Sequence, residues 1–318
     1  MRRKIIEGIE PMNDLRAGCH EHAIYPIIKY MGNDLNDFLL NTFFCYDFSK
    51  PKLMGKEITY DIFEALGYRY EIKKDGNDII NYLKGEIDNM RPALVGCDYY
   101  ELPEFKTVYQ VVHGGHGICV YGYDDDNSEF HILDHKYHDT FLYIKQTIKY
   151  EELRKAVLSC GEYLGYIHIA TIHKDNNISV SDTFSFYRKN FAKYNNEIRN
   201  SFQHIKNFAD MLYEHLDSDY TSLPLGEIGH QFTLIMNRKY FELGVINMLF
   251  NDTRLSELAT QRVSDIAFIS AVITKYQYSD QLKRDSFIKM IDKAYSLYEK
   301  EIKFHELYIC VLNKLCEV

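Results

Sequence analysis

The apolar positions change period along the chain, and the changes divide it in two. Ala23, Ile24, Ile27, Ile28 and Met31 follow the helical period and stop at Gly32, so a buried helix is expected there, kinked or ended in its first part by Pro26. Residues 57–66 and 77–90 also have helical spacing, with Gly67 as a stop signal after the first. Short apolar or alternating runs predict strands over 93–97, 107–112, 116–123, 129–134, 141–144 and 164–172. Asp124 to Ser128 is turn-like and should join two of these strands as a hairpin. Residues 174–182 are polar and read as a linker. From Thr183 onward nearly every segment is helix-periodic, with breaks near 217–226, 251–253 and Ser279. The expected architecture is an α+β domain over residues 1–175 followed by an all-helical domain over 183–318.

Composition narrows the function classes more than it refines the fold. The chain has 318 residues, 46% of them hydrophobic and 26% charged, which is ordinary for a globular protein of about two domains. No apolar run reaches the ~18 residues a membrane span needs, and the first ten residues lack the apolar stretch of a secretory signal. The seven cysteines (19, 45, 97, 119, 160, 310 and 316) are odd in number and form no CxxC pair. Free thiols in a reducing cytoplasm are therefore expected, with no disulfide framework and no metal site. The net charge of −9 is concentrated early: residues 1–180 hold 20 Lys and Arg against 28 Asp and Glu. That balance disfavours nucleic acid and mildly favours a cationic small molecule, although carboxylates kept for solubility explain it more simply.

Two motifs carry chemistry. In Gly18-Cys19-His20-Glu21-His22-Ala23 a cysteine opens a helix, close to unpaired backbone N–H groups and the positive end of the helix dipole. Both features favour thiolate, and the same N–H groups can stabilise an oxyanion. Asn13, six residues upstream, is a candidate second oxyanion donor. In His113-Gly114-Gly115-His116-Gly117 the imidazole of His116 begins an apolar strand between glycines that leave it uncrowded, and Asp134 ends the next strand. A hairpin of these strands would place carboxylate beside imidazole, fixing its tautomer. His113 is the competing histidine, with packing or substrate contact as its other role. The polar group His131, Asp134, His135, His138 and Asp139 has neither cysteine ligands nor a helical HExxH, so a polar strand end is the better reading than a metal centre.

These residues carry a resemblance. The order of Cys19-x-x-His22-Ala23, Asp98-Tyr99-Tyr100-x-Leu102-Pro103, the His113 and His116 pair, Gly122-Tyr123-Asp124-Asp125 and Asp134 resembles papain-superfamily enzymes of the bacteriocin-processing peptidase type. More closely, it is similar to the family named for butirosin biosynthesis protein H. The resemblance spans roughly residues 12–140, and a helical C-terminal region is usual in that family. It implies a papain-like fold and a catalytic set of Cys19, His116 and Asp134. It also implies transfer of an acyl group from the phosphopantetheine thioester of an acyl or peptidyl carrier protein, through the cysteine, to a small amine acceptor such as a polyamine or aminoglycoside, with no further cofactor. One departure stands out: papain-like enzymes usually have Gln where this chain has the shorter Asn13. Asp98, Tyr99 and His113 are candidates for lining the acceptor pocket, though a plain turn explains Asp98 equally well. Arg188-Lys189 and Arg238-Lys239 are basic pairs able to face an acidic carrier, with a solvated helix face as the simpler explanation. The competing readings are a cysteine peptidase cutting a leader or small peptide, and a helical interaction protein with a degenerate enzyme domain.

Overall fold

The computed structural model describes residues 2–13, 18–32, 36–39, 42–59, 63, 66–135, 142–175, 183–216, 223–279 and 283–314. The chain divides into two compact units, one formed by Met1–Phe38 and Asp61–Thr183, the other by Leu39–Tyr60 and Phe184–Val318. Mixed helix and sheet with a helical C-terminal region make it an α+β protein. Among the described residues no helix is long and apolar enough to cross a membrane.

The first unit is built on an antiparallel sheet. Its strands are β1 (Arg3–Ile5), β4 (Tyr68–Lys73), β5 (Ala93–Asp98), β6 (Gly115–Asp124), β7 (Glu129–His135), β8 (Tyr143–Lys149) and β9 (Ile169–Lys174). They run in the order β4-β9-β5-β6-β7-β8, while β1 pairs with the far half of β6. Strand β6 is buried from His116 to Asp124, which explains its continuous apolar sequence. The turn after it is made by Asp124, whose Oδ1 accepts from the backbone N–H groups of Asp126 and Asn127, and β6 and β7 form the expected hairpin. Helix α1 (Cys19–Tyr30) packs on β5 and β6 through its buried face of Ala23, Ile24, Ile27 and Ile28. Pro26 does not end it; the ring is buried and the helix runs through, forgoing the one bond its missing N–H would have made. Helices α2 (Ile79–Asp88) and α3 (Tyr150–Ser159) complete the unit.

Two strand and helix expectations change. Residues 107–112 form successive turns, not a strand. The backbone N–H of Gln110, at positive φ, donates to the carbonyl of Tyr100, and Val111 and Val112 are exposed, so the apolar run has no sheet partner. The stretch 57–66 begins as strand: β3 (Lys52–Thr59) pairs with β2 (Thr42–Ser49) through Thr42↔Thr59 to Ser49↔Lys52. The expected linker at 174–182 and His138 with Asp139 lie mostly or wholly outside the described residues.

The β2–β3 hairpin belongs to the second unit, so the helical domain contains residues the expected boundary at 175 had assigned elsewhere. Its aromatic side chains explain why: Phe43 meets Tyr187 and Phe191, Tyr46 meets Phe202, and Phe48 meets Phe208. The partners lie on α4 (Thr183–Glu214), which with α5 (Leu225–Leu249), α6 (Thr253–Ser279) and α7 (Arg284–Lys314) forms the rest of the unit. Of the helix-spaced stripe Tyr187, Phe191, Tyr194 and Ile198, expected as core, Tyr187, Phe191 and Ile198 are buried and Tyr194 is half-buried. Lys239, read as part of a surface basic pair, is instead buried at 3% exposure between Glu242 and Glu301.

Candidate active site

Helix α1 starts at Cys19 because Gly18 is extended and the first i→i−4 bond runs from the His22 N–H to the Gly18 carbonyl. No side chain caps this start, so the first-turn N–H groups and the dipole's positive end are left beside the thiol. Gly117 on β6 permits the close approach: a Cβ there would lie 3.3 Å from the carbonyl oxygen of Cys19. The backbone N–H of Gly117 in turn donates to the Cys19 sulfur.

His116, next along β6, donates from Nε2 to Asp134 Oδ1 at 2.6 Å, and both groups are buried. The same oxygen accepts from the His135 backbone N–H at 2.6 Å, which fixes the carboxylate. With Nε2 committed, Nδ1 is the ring nitrogen left for the hydrogen bond that joins His116 to Cys19. The β6–β7 hairpin and the packing of α1 on β6 thus bring together a thiol, an imidazole and a carboxylate that lie 115 positions apart in sequence at their extremes.

Their titration is coupled. Burial pushes the Cys19 thiol up, but its hydrogen bond and attraction to His116, then the Gly117 N–H, outweigh burial and hold it below the usual range. Burial pushes His116 down, while Asp134 and then Cys19 raise it to about 10. The two shifts together favour thiolate paired with imidazolium. Alkylation of Cys19 by iodoacetamide, read by peptide mass, is expected to reach its half-maximal rate at a lower pH than the ~8.5 of an ordinary thiol. The thiolate is lost only as pH falls through the lowered value. In His116→Ala burial acts without its main counterweight, so the midpoint should move to or above the ordinary value; an unmoved midpoint would contradict the coupling.

The remaining expectations divide. Asn13 does not lie free as an oxyanion donor: its side chain accepts from the Tyr143 N–H at 2.8 Å and donates to the Tyr143 carbonyl at 3.1 Å. An amide side chain has the donor–acceptor pattern of a peptide group, and here it clamps the N-terminal segment to β8. Asp98 is fully buried, not a pocket wall. It accepts from the Tyr100 and Gly114 N–H groups, the Ser159 hydroxyl and His113 Nδ1, so its lone pairs are spent holding the 99–114 loop. His113 is stacked between Tyr100 and Tyr163, with ring centroids 4.1 and 3.9 Å away. Tyr99 lies over Gly114, where a Cβ would come within 2.0 Å of its hydroxyl oxygen.

Several neighbours carry no sequence signal. Tyr143, fully buried, stacks on His22 at 4.4 Å and its hydroxyl is hydrogen-bonded to His135 Nε2 at 3.1 Å. The His135 ring stacks in turn on that of His116 at 5.1 Å. A cleft of about 160 Å³ opens at Cys19, lined by Leu94, Gly96 and Gly115 and bordered by His20, Tyr166 and His168. His168 Nε2 is hydrogen-bonded to the Tyr70 hydroxyl at 2.9 Å. Only the strand register brings these side chains to the thiol. Among the described residues, His116, Asp134 and His135 are the one trio whose potential metal-ligand atoms lie within 4.8 Å of one another. Asp134 Oδ1 and His116 Nε2 already bond each other, so that trio coincides with the pair at Cys19.

No curated protein matches the chain. A family model, that of butirosin biosynthesis protein H, N-terminal, matches residues 40–135. The matched stretch contains His116 and Asp134, while Cys19 precedes it. This match supports a likeness to the butirosin biosynthesis protein H-like family over that stretch.

Proposed function

We propose that the protein is a biosynthetic acyltransferase in which Cys19 takes an acyl group from a carrier-protein thioester and passes it to an amine. The family's printed name ties it to butirosin biosynthesis, and a role in antibiotic biosynthesis is the coarser form of this reading. The observation that carries the finer form is the continuous chain from Cys19 through His116 to Asp134 at an uncapped helix start.

In this mechanism the Cys19 thiolate attacks the carbonyl carbon of the phosphopantetheine thioester, and the negative oxygen rests on first-turn N–H groups of α1. The tetrahedral adduct collapses by breaking the bond to the carrier sulfur, which leaves with the proton from His116. Neutral His116 then takes a proton from the attacking amine, the Cys19 thiolate is expelled, and the product is an amide. Asp134 keeps the His116 ring oriented throughout and balances the imidazolium. A thioester-to-thioester exchange is nearly isoenergetic and amide formation runs downhill, so the order of steps follows from bond energies. The reading includes a papain-like arrangement of the first unit and work in the cytoplasm, where the thiol stays reduced.

Intact-mass measurement tests it. Incubation with acyl-carrier thioester should add the acyl mass at the peptide containing Cys19, and a polyamine or aminoglycoside should then discharge it as amide. Absence of an adduct on the wild-type protein would sink the proposal; discharge by water at a rate indifferent to the amine would move the protein to the hydrolases.

A further inference from the structure

The second unit holds a partly open aromatic pocket of about 80 Å³ that contains neither Cys19 nor any residue of its surroundings. Its apolar walls include Phe43, Phe191, Phe202, Val245 and Tyr308, all buried. One side is charged. Arg262, 1% exposed, donates to Glu301 at 2.7 Å and to Glu242 at 3.0 Å, and its guanidinium carbon lies 3.3 Å from the centre of the Phe304 ring. Lys239 bonds the same two carboxylates at 3.0 Å each. Two cations and two carboxylates are thus mutually neutralised beside the cavity, yet the Arg262 Nε–H has no hydrogen-bond partner.

An unmet donor on a side chain that is itself buried costs the desolvation of that group. An occupant with an acceptor oxygen would relieve that cost. We propose that the cavity is a binding site for a small, neutral, apolar molecule carrying one carbonyl-type oxygen, with that oxygen accepting from Arg262 Nε and the hydrocarbon part lying among the aromatic rings. The Arg262 Nε–H lies within a cluster of two cations and two carboxylates that balance one another, which favours a neutral acceptor there, and Arg238, over the Phe241 ring at 4.6 Å, is the lining cation outside that balance. Size follows from the volume, which suits about five or six heavy atoms.

Cyclopentanone is a probe of that size, methylenecyclopentane its isostere without the acceptor, and cyclopentanecarboxylate the anionic comparison. Titrations of the full chain, followed by NMR of the isoleucine and valine methyl groups, should show saturable shifts with the ketone at residues lining the cavity. The ketone should bind about tenfold more tightly than the alkene, the worth of one hydrogen bond, and more tightly than the acid. Val245→Phe fills the space and should abolish binding while leaving the melting temperature equal or higher. Equal affinity for ketone and alkene, unchanged binding in the Val245→Phe protein, or no saturable binding because the site holds water only would each overturn the proposal. None of these readouts depends on acyl transfer, so this site and the reading of Cys19 stand or fall separately.

Discussion

Alanine in place of Cys19 is expected to abolish the acyl adduct and to lower kcat/KM for amide formation by at least about 10⁴-fold. Among the described residues no other cysteine near the site is disposed to take over the attack. Cys97, Cys119 and Cys160 are buried, and burial pushes each of them up, away from the thiolate form. Loss of the His116 imidazole should be nearly as severe, since it removes both the charge that holds the thiolate and the group that moves the proton. The informative variant is the double one. Residues that act as a unit are strongly non-additive, so Cys19→Ala with His116→Ala should be no slower than either single change. Multiplying losses would mean that the two side chains act independently, against the hydrogen bond that joins them.

Why that site was legible in sequence, and its surroundings were not, has a physical basis. Cys19, His116 and Asp134 are each announced by local grammar: a helix start, a glycine-flanked strand start, a strand end. The hairpin that unites the last two spans a turn that Asp124 makes with its own side chain, so the pairing is local. Tyr143, His135 and His168 reach the thiol through strand pairings such as Asp134↔Ile144 and Val95↔Ile169, which no short window of sequence encodes. Asn13 illustrates the same limit in reverse. Its spacing from Cys19 fits an oxyanion donor, but the edge of β8 competes for the amide and takes both of its ends. Asp98 looks like a surface turn residue and is a turn residue, yet the four donors that converge on it come from the loop and from Ser159 on α3. The β2–β3 hairpin was hidden for another reason. Its strand 52–59 merges into a helix-periodic stretch, and its allegiance to the helical unit depends on aromatic partners more than a hundred residues away.

The same long-range dependence makes Glu301 the side chain whose loss should cost the second unit most. Glu301 is 1% exposed and accepts from Arg262, from Lys239 and, at 2.5 Å, from the Tyr46 hydroxyl of the hairpin. Burial alone would raise its carboxyl, but Arg262 and Lys239 hold it at about 2. Glu301→Ala removes one of the two carboxylate partners of Arg262 and of Lys239 and leaves both buried cations on Glu242 alone, so a loss of about 3–5 kcal/mol is expected. For a unit of this size that lowers the melting temperature by about 10 °C or more. A control separates the pair's own worth from the cost of breaking it. Arg262→Met with Glu301→Leu removes one cation and one carboxylate together and leaves Lys239 paired with Glu242, so it should regain most of the loss. The sign of the acid dependence follows from the depressed carboxyl. Its stabilisation is complete above the ordinary carboxylate range and disappears as pH falls through that range toward about 2. Over that interval the wild-type protein should lose stability steeply, while the Met–Leu protein loses less. Parallel acid curves for the two would show that the Arg262–Glu301 pair is not what acid titrates in this unit.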